Sequence, residues 1–118
     1  MTCLFCKIVA KEIPAKIVYE DEQTIAFDDI SPQAPTHTLI IPKIHIENVN
    51  DLNSDHQKIM SGLFLTAQKV AKLKNLSQKG YRLIINNGAS AGQEIFHLHL
   101  HLLGGAENLG PILNLNAD

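Results

Sequence analysis

The sequence predicts an α+β fold whose sheet is mainly antiparallel. Predicted strands and helices are segregated along the chain instead of alternating as β-α-β units, and a single long amphipathic helix stands among short strand-like segments. A chain of 118 residues is long enough to form one domain with a buried hydrophobic core. Hydrophobic residues make up 45% of the chain and charged residues 19%, which excludes intrinsic disorder.

The N-terminal part of the chain predicts a short helix followed by a hairpin. Apolar residues recur at helical spacing over residues 3–11: Leu4, Phe5, Ile8 and Val9. Pro14 ends this helix. The apolar runs 18–20 and 24–27 flank the polar residues 21–23, which is typical of two antiparallel strands joined by a turn.

The middle of the chain predicts a loop, a buried strand and the long helix. Two prolines make residues 31–35 a loop, and the apolar, β-branched run 37–41 is a strand that Pro42 closes. Ser54 and Gln57 have the spacing of a capping box at the start of the helix. One face of that helix is apolar or small through Ile59, Leu63, Thr66, Ala67, Val70 and Leu73, and the helix ends near Asn75.

The C-terminal part predicts two more strands around a glycine-containing loop. Residues 81–85 form a second buried strand, 86–93 a polar loop, and 95–103 the last strand. The apolar residues after Gly105 lack a clean period, so the tail is expected to be a docked irregular segment or partly mobile.

Charge and cysteine content narrow the functional classes. Ten basic against twelve acidic side chains give a formal charge of −2, which disfavours a nucleic-acid partner. We expect neither a membrane span nor a secretory signal, and therefore a reducing, cytoplasmic location. In such a compartment the pair Cys3-x-x-Cys6 is a metal site, a redox motif or an accident of sequence.

The most informative segment is the alternating run His97-Leu98-His99-Leu100-His101. Successive side chains of a strand point to opposite faces, so the leucines are expected in the core and the three histidines together on the other face. Two alternatives would involve no function. The histidines could form a solvated polar face, or each could be buried with its ring hydrogen-bonded separately. Three imidazoles beside a glycine-containing loop favour a functional site over either.

These imidazoles have two candidate uses, metal binding and nucleophilic or acid–base chemistry. The outer two lie about 13 Å apart on an ideal strand, so one ion cannot bind all three, although two neighbours could chelate it with further ligands. A neutral imidazole can attack phosphorus. In the loop before the strand, Asn86, Gly88, Gly92 and Gln93 could supply neutral donors to an anion.

The same residues resemble the histidine triad (HIT) superfamily. Residues 97–103 match its His-φ-His-φ-His-φ-φ signature, where φ is apolar. Segments 11–16, 29–37 and 41–43, Gly92-Gln93 before the triad and Gly104-Gly105 behind it resemble the Hint branch, the purine nucleoside phosphoramidases. The resemblance implies a HIT domain over residues 3–105, followed by a tail of residues 106–118.

The resemblance also implies an architecture and an activity. The fold would be a five-stranded, mainly antiparallel sheet with one long and one short helix, paired into a homodimer. The protein would cleave purine nucleoside 5′-phosphoramidates through a covalent nucleotidyl-histidine, without requiring a cofactor. Alternatives are a dinucleoside polyphosphate hydrolase or nucleotidyl transferase using the same histidine, or a nucleotide- or partner-binding protein with incidental turnover.

Residue roles follow from the matching positions. His99 would be the nucleophile, His101 would contact the phosphate, and His97 and His37 would support them. Asn86, Gly92 and Gln93 match phosphate-binding positions, and Asp29 matches the acid that accepts hydrogen bonds from both ribose hydroxyls. The purine pocket would consist of Leu4, Phe5, Ile8, Phe27 and Ile30. Judged without the resemblance, Asp29 is a turn residue and the two phenylalanines are ordinary core residues.

Two positions depart from the Hint pattern. The residue after Gln93, often a serine serving the leaving group, is Glu94 here. This side chain would act as a protonated general acid, favour a cationic amine when ionised, or face solvent without a role. The other departure is the cysteine pair. Zinc-bearing relatives in the superfamily suggest a structural Cys₂His₂ site of Cys3, Cys6, His45 and His97; otherwise the two thiols are small buried hydrophobes.

Overall fold

The computed structural model describes residues 3–111 and contains a five-stranded sheet in which every neighbouring pair is antiparallel. The strand order is β1-β2-β3-β5-β4. The strands are β1 (Ile17–Glu20), β2 (Thr24–Asp28), β3 (Thr36–Pro42), β4 (Arg82–Ile84) and β5 (Leu100–Gly104). The predicted α+β class and the five-stranded antiparallel sheet are confirmed.

Two helices of unequal length cover the two faces of this sheet. Helix α2 (Gln57–Leu73) packs its buried side chains onto the inner residues of β2, β3 and β5. Helix α1 (Leu4–Val9) covers part of the opposite face and buries Phe5 and Ile8 against β2 and β3. Because side chains alternate along a strand, each central strand contributes to both layers.

The alternation of β5 decides which face carries the histidines. Leu98, Leu100 and Leu102 are at most 1% exposed and join the core beneath α2. His99 and His101 therefore lie on the α1 face, as the sequence pattern predicts.

The last strand is shorter than predicted. Residues 95–99 form bends and irregular backbone, and β5 begins only at Leu100. The main-chain N–H of Leu98 donates instead to the carbonyl of Ile46, in the connection that follows β3. This contact holds the segment against the sheet without a ladder, so His97 and His99 precede the strand although the alternation of buried leucines is kept.

The start of the long helix also differs from prediction. Asn53, not Ser54, is the N-cap, and its side-chain oxygen accepts from Asp55 N–H. Nδ1 of His56 accepts in return from the N–H of Asn53. Ser54 thus lies inside a short 3₁₀ turn that precedes α2, and the predicted Ser54–Gln57 box is wrong because an asparagine one residue earlier caps this turn.

Two predictions of burial are corrected. Leu73, assigned to the apolar face of α2, is 59% exposed because the helix ends there and its last turn extends past the sheet. The strand predicted at 81–85 is β4, which is only half-buried because it forms the edge of the sheet.

The apolar tail residues Ile112, Leu113 and Leu115 lie outside the described residues. Neither described helix has the length and apolarity to cross a membrane.

The contrast between Leu98 and Leu73 is testable. Leu98→Ala should lower the free energy of unfolding by about 2–5 kcal/mol, since it leaves a cavity beneath α2. Leu73→Ala should change it by about 0.5 kcal/mol or less, because its side chain is already in water. Urea denaturation of both variants measures the difference, and equal losses would contradict the assignment of the two faces.

Candidate active site

A cavity of about 490 Å³ opens on the α1 face of the sheet. Its walls come from α1 and the segment after it, the ends of β2 and β3, residues 86–95, and the histidines before and within β5. The volume lies within the range of about 300–1,000 Å³ that holds small ligands. Its lining consists of an apolar set and a polar set of residues.

The apolar set contains the five residues predicted to hold a base: Leu4, Phe5, Ile8, Phe27 and Ile30. The rings of Phe5 and Phe27 meet edge to face at 5.4 Å between centroids. Ile30 is 98% exposed at the mouth, where it has no packing of its own. Further lining residues escaped prediction: Ile13, Pro14, Ala15, Leu39 and Ile95.

The polar set contains most of the predicted phosphate-binding, ribose-binding and catalytic residues. His37, His99, His101, Asp29, Asn86, Gly92 and Glu94 all line it. Gly92 ends a short 3₁₀ turn at a φ of 91°, a left-handed conformation that glycine adopts most readily.

Gln93 is the exception among the predicted phosphate contacts. It is 4% exposed and does not line the cavity. Its amide nitrogen donates to the carbonyls of Glu47 and Ile95, and its amide oxygen accepts from Gly88 N–H. Because these three hydrogen bonds engage both the nitrogen and the oxygen of the amide, the Gln93 side chain stabilises the loop and is not available to bind a ligand.

The proton position on His99 is fixed by a main-chain group. Nδ1 of His99 lies 2.7 Å from the carbonyl oxygen of His97, and a carbonyl can only accept. The neutral ring therefore carries its proton on Nδ1 and has a lone pair on Nε2. Burial lowers the pKa of His99, against raising effects of this hydrogen bond and of Asp29. A neutral imidazole with a free Nε2 thus lines the cavity.

The proton positions on His37 and His101 are also fixed by hydrogen bonds. The main-chain N–H of Gln33 donates to Nδ1 of His37 over 3.1 Å, so the proton of the neutral His37 ring is on Nε2. That Nε2 lies 2.9 Å from Nδ1 of His101, which accepts from it. His101 is left with a proton on Nε2 that is available to a ligand.

Burial lowers the pKa of His101 to about 4, with the charges of His99 and His37 acting in the same direction. Burial also lowers the pKa of His37, while Asp29 raises it. Both rings are therefore neutral at pH 7 in the absence of an anion.

Asp29, His37 and His101 bring their side-chain donor atoms within 4.8 Å of one another, which resembles a metal site. The hydrogen bond from Gln33 argues against that use. Binding a cation through Nε2 of His37 would move its proton to Nδ1, which would then face the N–H of Gln33 with two donors and no acceptor. The arrangement suits an anion opposite His101 better than a metal ion.

His97 does not line the cavity, contrary to its assignment beside the other catalytic histidines. It is 0% exposed, and its Nε2–H donates to the carbonyl of Pro42 over 2.8 Å. Its Nδ1 lone pair lies 3.4 Å from Sγ of Cys3 and 3.6 Å from Sγ of Cys6. Burial lowers the pKa of His97. His97 supports His99 through its carbonyl oxygen, not through its ring.

The four predicted zinc ligands come together beside α1. The ligand atoms of Cys3, Cys6, His45 and His97 all lie within 4.8 Å of one another, and His45 Nδ1 is 3.4 Å from Cys6 Sγ. In a tetrahedron with Zn–S of ~2.3 Å and Zn–N of ~2.0–2.1 Å, sulfur and nitrogen lie about 3.5 Å apart. The sulfur–nitrogen distances of 3.4–3.6 Å therefore fit a tetrahedral zinc ion.

Glu94 lies where the cavity meets a second hollow. This smaller space, of about 330 Å³, shares Leu4, Glu94 and Ile95 with the main cavity. Glu47 lines it from the opposite segment. The exposed Glu94 carboxylate can thus face either space.

The comparison with known proteins agrees with this geometry. The HIT domain family matches residues 10–108. The chain belongs to the HIT domain family.

Individual relatives of this HIT domain are similar over nearly their whole length. The chain is 49% identical to the purine nucleoside phosphoramidase of Escherichia coli K12 over 110 residues, covering 93% of this chain and 92% of that protein. A solved HIT family hydrolase from Clostridium thermocellum is 52% identical, with a TM-score of 0.91 and coverage of 95% and 97%. A histidine triad protein from Clostridium difficile is 41% identical, with a TM-score of 0.89 and coverage of 94% and 96%.

The pKa of His101 gives this HIT domain an acid-sensitive stability. Between about pH 6.5 and 4 the unfolded chain binds a proton at this ring and the folded chain does not. The free energy of unfolding should therefore fall as the pH drops through this window, by up to about 3 kcal/mol from His101. Urea denaturation at several pH values should show a shallower fall for His101→Gln, since His37 and His99 contribute in both proteins. Parallel curves would contradict the neutral, buried state of His101.

Proposed function

We propose that this HIT domain protein hydrolyses purine nucleoside 5′-phosphoramidates. The observation that carries the proposal is the neutral His99, whose free Nε2 lines a cavity that also contains apolar side chains and anion donors. The 49% identity to a protein named a purine nucleoside phosphoramidase supports the same activity. The nucleophile and donors come from the protein itself, so the proposed chemistry requires no cofactor.

Nε2 of His99 would form the bond to the α-phosphorus while the P–N bond of the substrate breaks. The electron pair of that bond stays on the amine nitrogen, which takes up a proton as it leaves. Nε2–H of His101 would donate to a phosphoryl oxygen, where negative charge builds up. Water then cleaves the nucleotidyl-histidine, which releases the nucleoside monophosphate and restores His99.

The two sets of lining residues suit the other parts of a nucleotide. A purine would lie against the apolar set, between the Phe5–Phe27 pair and the exposed Ile30. Asp29, in the polar set, would accept hydrogen bonds from both ribose hydroxyls. The side-chain amide of Asn86 and the backbone at Gly92 would assist His101 with the phosphate.

Glu94 would contact the leaving amine. It lines both the active cavity and the adjoining hollow, so a group leaving the phosphorus on that side would pass it. When protonated it would donate to the departing nitrogen, and when ionised it would favour an amine that carries positive charge.

We also propose that two copies pair and that the protein works in the cytoplasm. Phe64 and Leu65 on the outer side of α2 are 48% and 55% exposed, and β4 is an edge strand. A second copy packed on this face would remove these two apolar side chains from water. The free Cys3 and Cys6 thiols suit a reducing compartment.

His99→Ala should abolish turnover of adenosine 5′-phosphoramidate while AMP affinity stays within about tenfold, or 1.4 kcal/mol. Intact-mass measurement after a rapid quench with denaturant at alkaline pH, where a P–N bond to histidine survives, should show a nucleotidyl adduct on the wild type and none on the variant. His56→Gln, which alters a histidine at the start of α2, serves as the control and should keep wild-type rates. Turnover by His99→Ala would refute the nucleophile, and activity confined to dinucleoside polyphosphates would favour a different HIT hydrolase.

We propose that Cys3, Cys6, His45 and His97 hold a structural zinc ion. Zinc bound by four protein ligands would cross-link α1 to the connection after β3 and to the segment before β5. All four ligands come from the protein, so no position remains for a substrate.

Protein purified without chelator should contain about one zinc ion per chain, and its removal should lower the Tm by at least about 5 °C. Elemental analysis and a thermal melt measure both quantities. Cys3→Ser and Cys6→Ser should melt at the same temperature with and without chelator. A wild-type protein that holds no metal and does not respond to added zinc would contradict the site.

A further inference from the structure

The Asp29 carboxylate faces two parts of the site at once. Its Oδ1 accepts from Ser31 N–H over 2.8 Å, and its Oδ2 lies 3.6 Å from Nε2 of His37, the atom that bonds to His101. The main-chain N–H of Asp29 also donates to the carbonyl of His37 over 2.9 Å, which fixes the two residues relative to each other. A contact with ribose alone would not require the second oxygen to approach the histidine pair.

We propose that Asp29 is the counter-ion of the His37–His101 pair when a phosphate group favours protonation of that pair, and so a positioning residue for phosphate binding, in addition to contacting the sugar. Within the part of the chain that the structure describes, it is the sole carboxylate within 4 Å of a nitrogen of either ring. The consequence for turnover rests on the proposed function, whereas the charge interaction itself does not.

The other charged and titratable groups around the pair do not replace Asp29. The His99 ring, 4.9 Å from that of His101, adds positive charge if it protonates. Asp28 lines the same cavity, but its carboxylate accepts from Thr38 Oγ1 and pairs with Lys74. Glu94 is exposed where the cavity meets the adjoining hollow. The charge of Asp29 raises the pKa of both His37 and His101, against the lowering by burial.

This interaction would matter during attack on phosphorus. As negative charge builds on the phosphoryl oxygens, it favours uptake of a proton from solvent by the His37–His101 pair, and the cationic pair then donates a charge-assisted hydrogen bond from Nε2–H of His101. A nearby carboxylate stabilises that positive charge, and its loss would weaken the donor. Because the same carboxylate would accept from ribose hydroxyls, recognition of the sugar and of the phosphate would be coupled.

The charge interaction can be measured without substrate. Asp29→Asn preserves the shape of the side chain and an oxygen for Ser31 N–H, but it removes the charge. NMR titration of the imidazoles in nucleotide-free protein should show His37 and His101 protonating about 1 pH unit lower than in wild type. Asp28→Asn, the matched loss of one neighbouring carboxylate, should leave these titrations in place. Unchanged titrations in Asp29→Asn, or equal shifts in both variants, would overturn the proposal.

A substrate without ribose hydroxyls separates the two roles in catalysis. On 2′,3′-dideoxyadenosine 5′-phosphoramidate, Asp29→Asn should still lower kcat by about tenfold, the equivalent of one pKa unit. A residue that only contacts the sugar would give equal kcat for wild type and variant, which would refute the proposal. Should the wild type turn over neither this compound nor the ribonucleotide, the proposed function would fail, and the NMR titration would still decide the role of Asp29.

Discussion

The hydrogen bond from Nδ1 of His99 to the carbonyl of His97 is the interaction on which the site depends. It gives the neutral ring one tautomer and leaves Nε2 free on the side of the cavity. The carbonyl is held in place because the His97 ring is fixed on both sides, by the carbonyl of Pro42 and by the cysteine pair. The core under α2 contributes by burying Leu98 and Leu100, the neighbours of His99 in sequence. The orientation of one imidazole thus depends on the two sides of the sheet together.

A main-chain group also fixes His37, and His37 in turn fixes His101. Gln33 N–H determines which nitrogen of His37 carries the proton, and His37 determines the same for His101. A carbonyl or an amide of a packed backbone has little freedom to move. The donors and lone pairs therefore stand in place before a ligand arrives, and electrostatic stabilisation in a buried site requires such an arrangement.

The sequence predicted the parts of this structure that depend on side-chain periodicity. Alternation placed Leu98, Leu100 and Leu102 in the core, and the resemblance brought His37, Asp29 and the aromatic residues to one cavity. Prediction from the sequence failed where hydrogen bonds to main-chain groups determine the local structure. The irregular run at residues 95–99 arises because Leu98 bonds to Ile46, and the amide of Gln93 is taken up by three loop partners. Neither contact leaves a pattern in the sequence, since any residue type supplies the same main-chain atoms.

The exposure of Ile30 has a thermodynamic consequence. A branched aliphatic side chain that is 98% exposed and a half-exposed Leu4 both line the cavity and leave apolar surface hydrated there. A planar ring that settles between them would remove this surface from water, and the burial of apolar surface carries a negative heat-capacity change. The binding enthalpy of a nucleotide should therefore become more favourable as temperature rises, and a ligand that lacks the base should show a much weaker temperature dependence.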